Sequence, residues 1–118
     1  LNTKQTAANL TLKGQQTLDK SLLFFSVVVI APIFEEVIFR GVAFYRLQQT
    51  VLGVSGAVII PSLIFTFLHG QYDQADIFVL LFVFSCFMGG IRSLSGNIWY
   101  CVLGHMIINL FAISEFIL

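Results

Sequence analysis

Six polar residues of this chain stand where polar residues are expensive. Glu35, Glu36 and Arg40 fall in Phe34-Glu35-Glu36-Val37-Ile38-Phe39-Arg40, and His69 closes Phe65-Thr66-Phe67-Leu68-His69. His105 and Asn109 lie in His105-Met106-Ile107-Ile108-Asn109, again among apolar neighbours. A charge at the centre of a membrane helix costs about 2.5–3.5 kcal/mol on insertion scales, so three within six residues require a reason. Glu36 and Arg40 supply part of it, because at i, i+4 they face each other with the acid on the N-terminal side. Glu35 is rotated by about 100° and has no such partner in its own helix. His105 and Asn109 also share a face, and a neutral imidazole needs both a donor and an acceptor partner. Carboxylate, imidazole and amide side chains together can move protons, as hydrolysis or a proton relay requires. They can also hold helices together, at about 0.6 kcal/mol per contact. That bland reading suits a lone His or Asn. For a set spread over three helices and including an unpaired Glu, function is the better reading.

The elements that must position these residues are apolar helices. Of 118 residues, 58% are apolar and 10% charged, with a mean hydropathy of +0.93. A soluble domain is usually about 25% charged, and one this small buries only about 60–70% of its unfolded surface, so lipid must be part of the solvent. The fold class is therefore all-α, a polytopic transmembrane bundle of about four membrane helices. Net charge is zero, which gives no reason to expect a nucleic-acid partner. Cys86 and Cys101 sit in apolar runs and read as free buried thiols, although Cys101 shares a face with His105.

Residues 1–20 read as a polar flanking segment outside the bilayer core, and residues 21–118 as the membrane core. The first helix should run from Ser21 to about Gln48, with a kink where Pro32 crowds the carbonyl of Val28. A second helix is expected from Val54 to His69 and a polar turn from Gly70 to Gln74. Asp76 is expected to cap a third helix over Ile77–Ile91. Ser93–Asn97 reads as a turn before a fourth helix from Ile98 onward. Helices two and three look short for full spans. Gly89-Gly90 should allow close helix approach, Arg92 should snorkel, and Trp99 and Tyr100 should anchor at the interface. Lys and Arg nearly balance on the two sides, so orientation stays open.

Taken in order, EExxxR at Glu35–Arg40, FxxxH at Phe65–His69 and HxxxN at His105–Asn109 resemble the motif set of the CPBP family. That family includes type II CAAX prenyl proteases, Abi proteins, lysostaphin-resistance-like proteins and bacteriocin self-immunity proteins. The likeness covers about Ala31 to Leu110, and it implies further helices before and after this core, as in a larger bundle. It implies an intramembrane endopeptidase, acting on a peptide or protein substrate at the membrane. Glu35 would activate a water with help from His69, and Glu36 and Arg40 would form a supporting pair. His105 and Asn109 would hold the oxyanion, and Phe65 would shape the site. The same groups could work without a metal. A divalent metal such as Zn, if used, would take Glu35, His69 and His105, two His and one Glu with a place for water. Asn109 suits an oxyanion better than a metal, which favours the metal-free version. A non-catalytic membrane immunity or binding protein, using the same cluster for packing, is the alternative. A proton-coupled transporter is a third, disfavoured by few helices and no inverted repeat. The Lys/Gln/Thr-rich flank and small size point to a bacterial cell membrane.

Overall fold

The computed structural model of the chain describes residues 2–70 and 74–117. Among them are four helices and no strand: α1 Thr3–Gln48, α2 Gly53–Leu68, α3 Ala75–Ser95 and α4 Ile98–Ile117. Gln71, Tyr72 and Asp73 of the expected polar turn lie outside the described residues.

Helix α1 begins well before Ser21. It is continuous from Thr3, with the Asn2 side chain accepting the N–H of Lys4 at its start. Threonine hydroxyls in this stretch bond back to carbonyls four residues earlier, which leaves the ladder intact. The polar flank is thus a helical extension of the first span, and none of Thr3–Phe25 is buried among the described residues.

The disturbance expected at Pro32 takes the form of wide π turns. Ser26–Ile30 and Val37–Ala43 are π-helical, and the short α segment Ala31–Glu36 lies between them. Proline has no N–H to give the carbonyl four residues back, and widening the turn relieves its clash with that carbonyl. At the first stretch the N–H of Ala31 bonds to Ser26, five residues back.

Helix α2 has 16 residues and stops at Leu68, so His69 is its C-cap, with φ −95° and ψ 36°. Helix α3 differs more from expectation. It has 21 residues and is long and apolar enough to cross a membrane, as α1 and α4 also are. Its N-cap is Gln74 rather than Asp76, which sits in the first turn. At the other end the helix absorbs Ser93–Ser95 and closes on Gly96, whose φ of 65° a residue with a Cβ would resist. Asn97 then caps α4 by accepting the N–H of Trp99 at 2.9 Å.

Helices α2 and α3 pack where Gly89 is buried against Val58, and a Cβ on Gly89 would meet Val58 Cγ1 at 2.9 Å. Gly90 has open space and plays no such part. The π stretch Ser26–Ile30 of α1 lies against α4, and the end of α1 lies against α2. The interior combines apolar Phe39, Phe44, Phe65, Met88 and Val102 with polar Glu36, Arg40, Ser62, Thr66, Ser85 and His105. Outside, Phe34, Phe67, Phe87, Trp99 and Phe111 are each more than 60% exposed, the surface that lipid covers in a bundle of this kind.

Candidate active site

Glu35 and Glu36 are neighbours with opposite surroundings. Glu36 has no exposed surface, whereas the Glu35 side chain keeps 31%. Glu36 Oε1 receives Arg40 Nη1 at 3.3 Å from one turn along α1, as the i, i+4 spacing predicts. The same oxygen receives His105 Nδ1 from α4 at 2.8 Å. Among the described residues its Oε2 has no partner. Arg40 Nη2 continues into α3, reaching the Ser85 hydroxyl at 2.6 Å and the Ser85 carbonyl. A fork of donors on a rigid plane can serve three acceptors at once, and here it ties α1 to α3.

His105 is held edge-on between the two carboxylates. With Nδ1 bound to Glu36, its Nε2 lies 3.4 Å from Glu35 Oε2, long for a hydrogen bond. Glu35 thus finds on α4 the partner it lacks on α1. The ring of Phe84 meets that of His105 edge-on, at 72° and 5.3 Å, and the ring of Phe65 lies 6.0 Å away.

His69 reaches its place because α2 ends there. Its Nδ1 donates to the Phe65 carbonyl at 2.7 Å, since a carbonyl can only accept, and Nε2 is left as the acceptor on the ring. Phe65 contributes more than shape. It is 2% exposed, supplies that carbonyl, and carries the Arg40 guanidinium 5.6 Å from its ring centre.

Asn109 donates from Nδ2 to the Val27 carbonyl of α1 at 2.9 Å, and among the described residues its second N–H and its Oδ1 are uncommitted. Glu35, His69, His105 and Asn109 all border one cavity of about 490 Å³, with Phe65 and Phe84 among its walls. Most of the remaining lining is apolar, from Ile77, Leu80 and Leu81 of α3 and Ile108 and Ala112 of α4. Glu36 and Arg40 stand behind the cavity rather than in its wall. Cys101 is also outside it, fully buried with its thiol on the Met88 carbonyl at 3.4 Å.

Glu35, His69 and His105 share the cavity. Among the described residues no three of His, Cys, Asp and Glu are grouped as a metal requires.

Two contributors, one buried and one half-buried, escaped the sequence reading. Ser85 is a small hydroxyl within Val83-Phe84-Ser85-Cys86-Phe87, and a lone polar residue in so apolar a run was the available signal. Arg92 is half-buried and bonds across to α1. Its Nε donates to the Arg40 carbonyl at 2.9 Å and its guanidinium lies 4.9 Å from the centre of the Phe44 ring.

Apolar helices long enough to cross a bilayer, around a sealed ion pair and a polar-edged cavity, mark an integral membrane protein. A family model, that of the Rce1-like type II CAAX prenyl endopeptidases, matches residues 17–111. The chain belongs to this family, and so to the CAAX-type membrane proteases in general. No significant match exists among curated proteins or among solved structures.

Proposed function

We propose that the chain is an intramembrane endopeptidase in which Glu35 activates a water for attack on a peptide carbonyl. One observation carries the reading: of two adjacent carboxylates, only Glu35 borders the cavity that His69, His105 and Asn109 also border, while Glu36 is sealed behind it. A water held between Glu35 and the His69 ring loses its proton to the carboxylate as its oxygen attacks. The oxyanion that forms is met by His105 Nε2–H and by the free N–H of Asn109. Because Nδ1 donates to Glu36, the His105 ring carries both protons in that step. Each preorganised donor of this sort is worth about 2.7–4 kcal/mol. Glu36 and Arg40 support the site by fixing the azimuth of His105. Phe65 serves as wall and carbonyl anchor. This chemistry runs without metal. The apolar walls suit a peptide with bulky apolar neighbours to the scissile bond, in keeping with a family named for CAAX prenyl substrates.

The alternative, a non-catalytic binding or immunity protein, draws on two contacts that are interhelical ties in their own right, Asn109 to Val27 and Arg40 to Ser85. The two readings separate in a cleavage assay on the purified protein, with and without a strong chelator. We expect Glu35→Gln to remove cleavage at unchanged thermal stability and the chelator to leave wild-type turnover intact. Full turnover in Glu35→Gln would sink the protease mechanism, and loss on chelation would sink its metal-free form.

A further inference from the structure

At each of the two π stretches of α1 a carbonyl is met by a side chain from another helix. At the first, the N–H of Ala31 goes to Ser26 instead of Val27, and the next residue, Pro32, has no N–H to offer. Val27 O is therefore orphaned within α1, and Asn109 caps it. At the second, the N–H of Phe44 turns to Gly41 instead of Arg40, and Arg92 Nε caps the Arg40 carbonyl at 2.9 Å. The guanidinium of Arg92 is seated against Phe44, itself 2% exposed, so its direction is fixed. Between the two caps lies Ala31–Glu36, the segment that carries both carboxylates.

We propose that Arg92 is a positioning residue of the site, holding through the Arg40 carbonyl the end of α1 from which Glu36, His105 and Glu35 take their alignment. The path is short. Arg92 holds the Arg40 backbone, Arg40 holds Glu36, and Glu36 holds His105. Without the cap, the nearest donors for Arg40 O are N–H groups of its own helix. Recruiting one tightens the wide turn, and each residue gained or lost in a turn rotates the helix by about 100°. A misplacement of about 1 Å at the reacting groups can cost about 10²-fold in rate. The proposal rests on the reading of Glu35 as the base.

The test compares Arg92→Leu, Arg92→Lys, Glu35→Gln and, as a control, the exposed Arg46→Leu, in the full chain in lipid nanodiscs. Turnover is followed on an internally quenched peptide ending in a farnesylated CaaX tail. Expected is a fall in kcat of about 10²-fold for Arg92→Leu with KM within twofold, partial recovery in Arg92→Lys, which keeps a donor, and no change in Arg46→Leu. The ¹⁵N resonances of the His105 imidazole are recorded in parallel and should shift in Arg92→Leu but not in Arg46→Leu, whether or not this peptide is cleaved. An unshifted imidazole overturns the proposal, as does wild-type kcat per folded molecule in Arg92→Leu beside a dead Glu35→Gln. Should Glu35→Gln cleave normally, the assignment of the base fails instead, and the imidazole spectrum alone decides the role of Arg92.

Discussion

A carboxylate with no exposed surface must have its charge answered by groups that cannot leave. For Glu36 these are Arg40 and His105, and Arg40 is itself held by Ser85. Breaking such a pair from one side is costly because the other charge stays buried, typically by about 3–5 kcal/mol. Arg40→Met should lower unfolding stability by about that amount in a reversible denaturation series in detergent. Arg40→Lys should recover little, since a single ammonium cannot span Glu36 and Ser85 as a guanidinium does. The i, i+4 logic made the Glu36–Arg40 pair legible from sequence, and it left Glu35 correctly without an intrahelical partner. That His105 would bind both acids was out of reach, because it depends on how α4 is rotated against α1. Asn109 shows the same limit. Its spacing from His105 placed it on the right face, but its bond to Val27 exists only because Ala31-Pro32 widens the turn beneath.

At the scale of elements, hydropathy and helix breakers gave good existence and poor limits. All four helices were readable, yet α1 starts near Thr3 because Thr, Gln, Asn and Lys permit a helix even where no apolar face demands one. Helix α3 runs to Ser95 because serine is no helix stop, and the real stop is the left-handed Gly96. Gly89 and Gly90 looked equivalent in sequence and are not, because only one faces Val58. Gly89→Val should therefore force α2 and α3 apart at a cost of about 1–3 kcal/mol, relieved when Val58→Ala is added. Gly90→Ala should be neutral or stabilising by about 0.5–1 kcal/mol. Thermal melts of the three variants in one detergent check both statements.

For the molecule as a whole, long α1 accounts for a greatest dimension of 71 Å against 30 and 18 Å in the other directions. Its first part, Thr3–Phe25, buries nothing, so removing residues 2–20 should leave the melting temperature of the remainder within a few degrees, measured side by side with the intact chain. The bundle itself is uneven in height. Helix α2 rises about 24 Å over its 16 residues, and Glu35 lies about 20 Å back along α1 from Gln48, next to the same loop. A hydrocarbon layer is about 30 Å deep. With the Gln48–Gly53 connection set at one face of such a layer, His69 and Glu35 would lie at similar depths, some 6–10 Å short of the opposite boundary. The proposed chemistry, placed there, would serve one leaflet. A polypeptide arriving from that side needs to dip in by only two or three residues, while one entering from the other would have to cross most of the bilayer first.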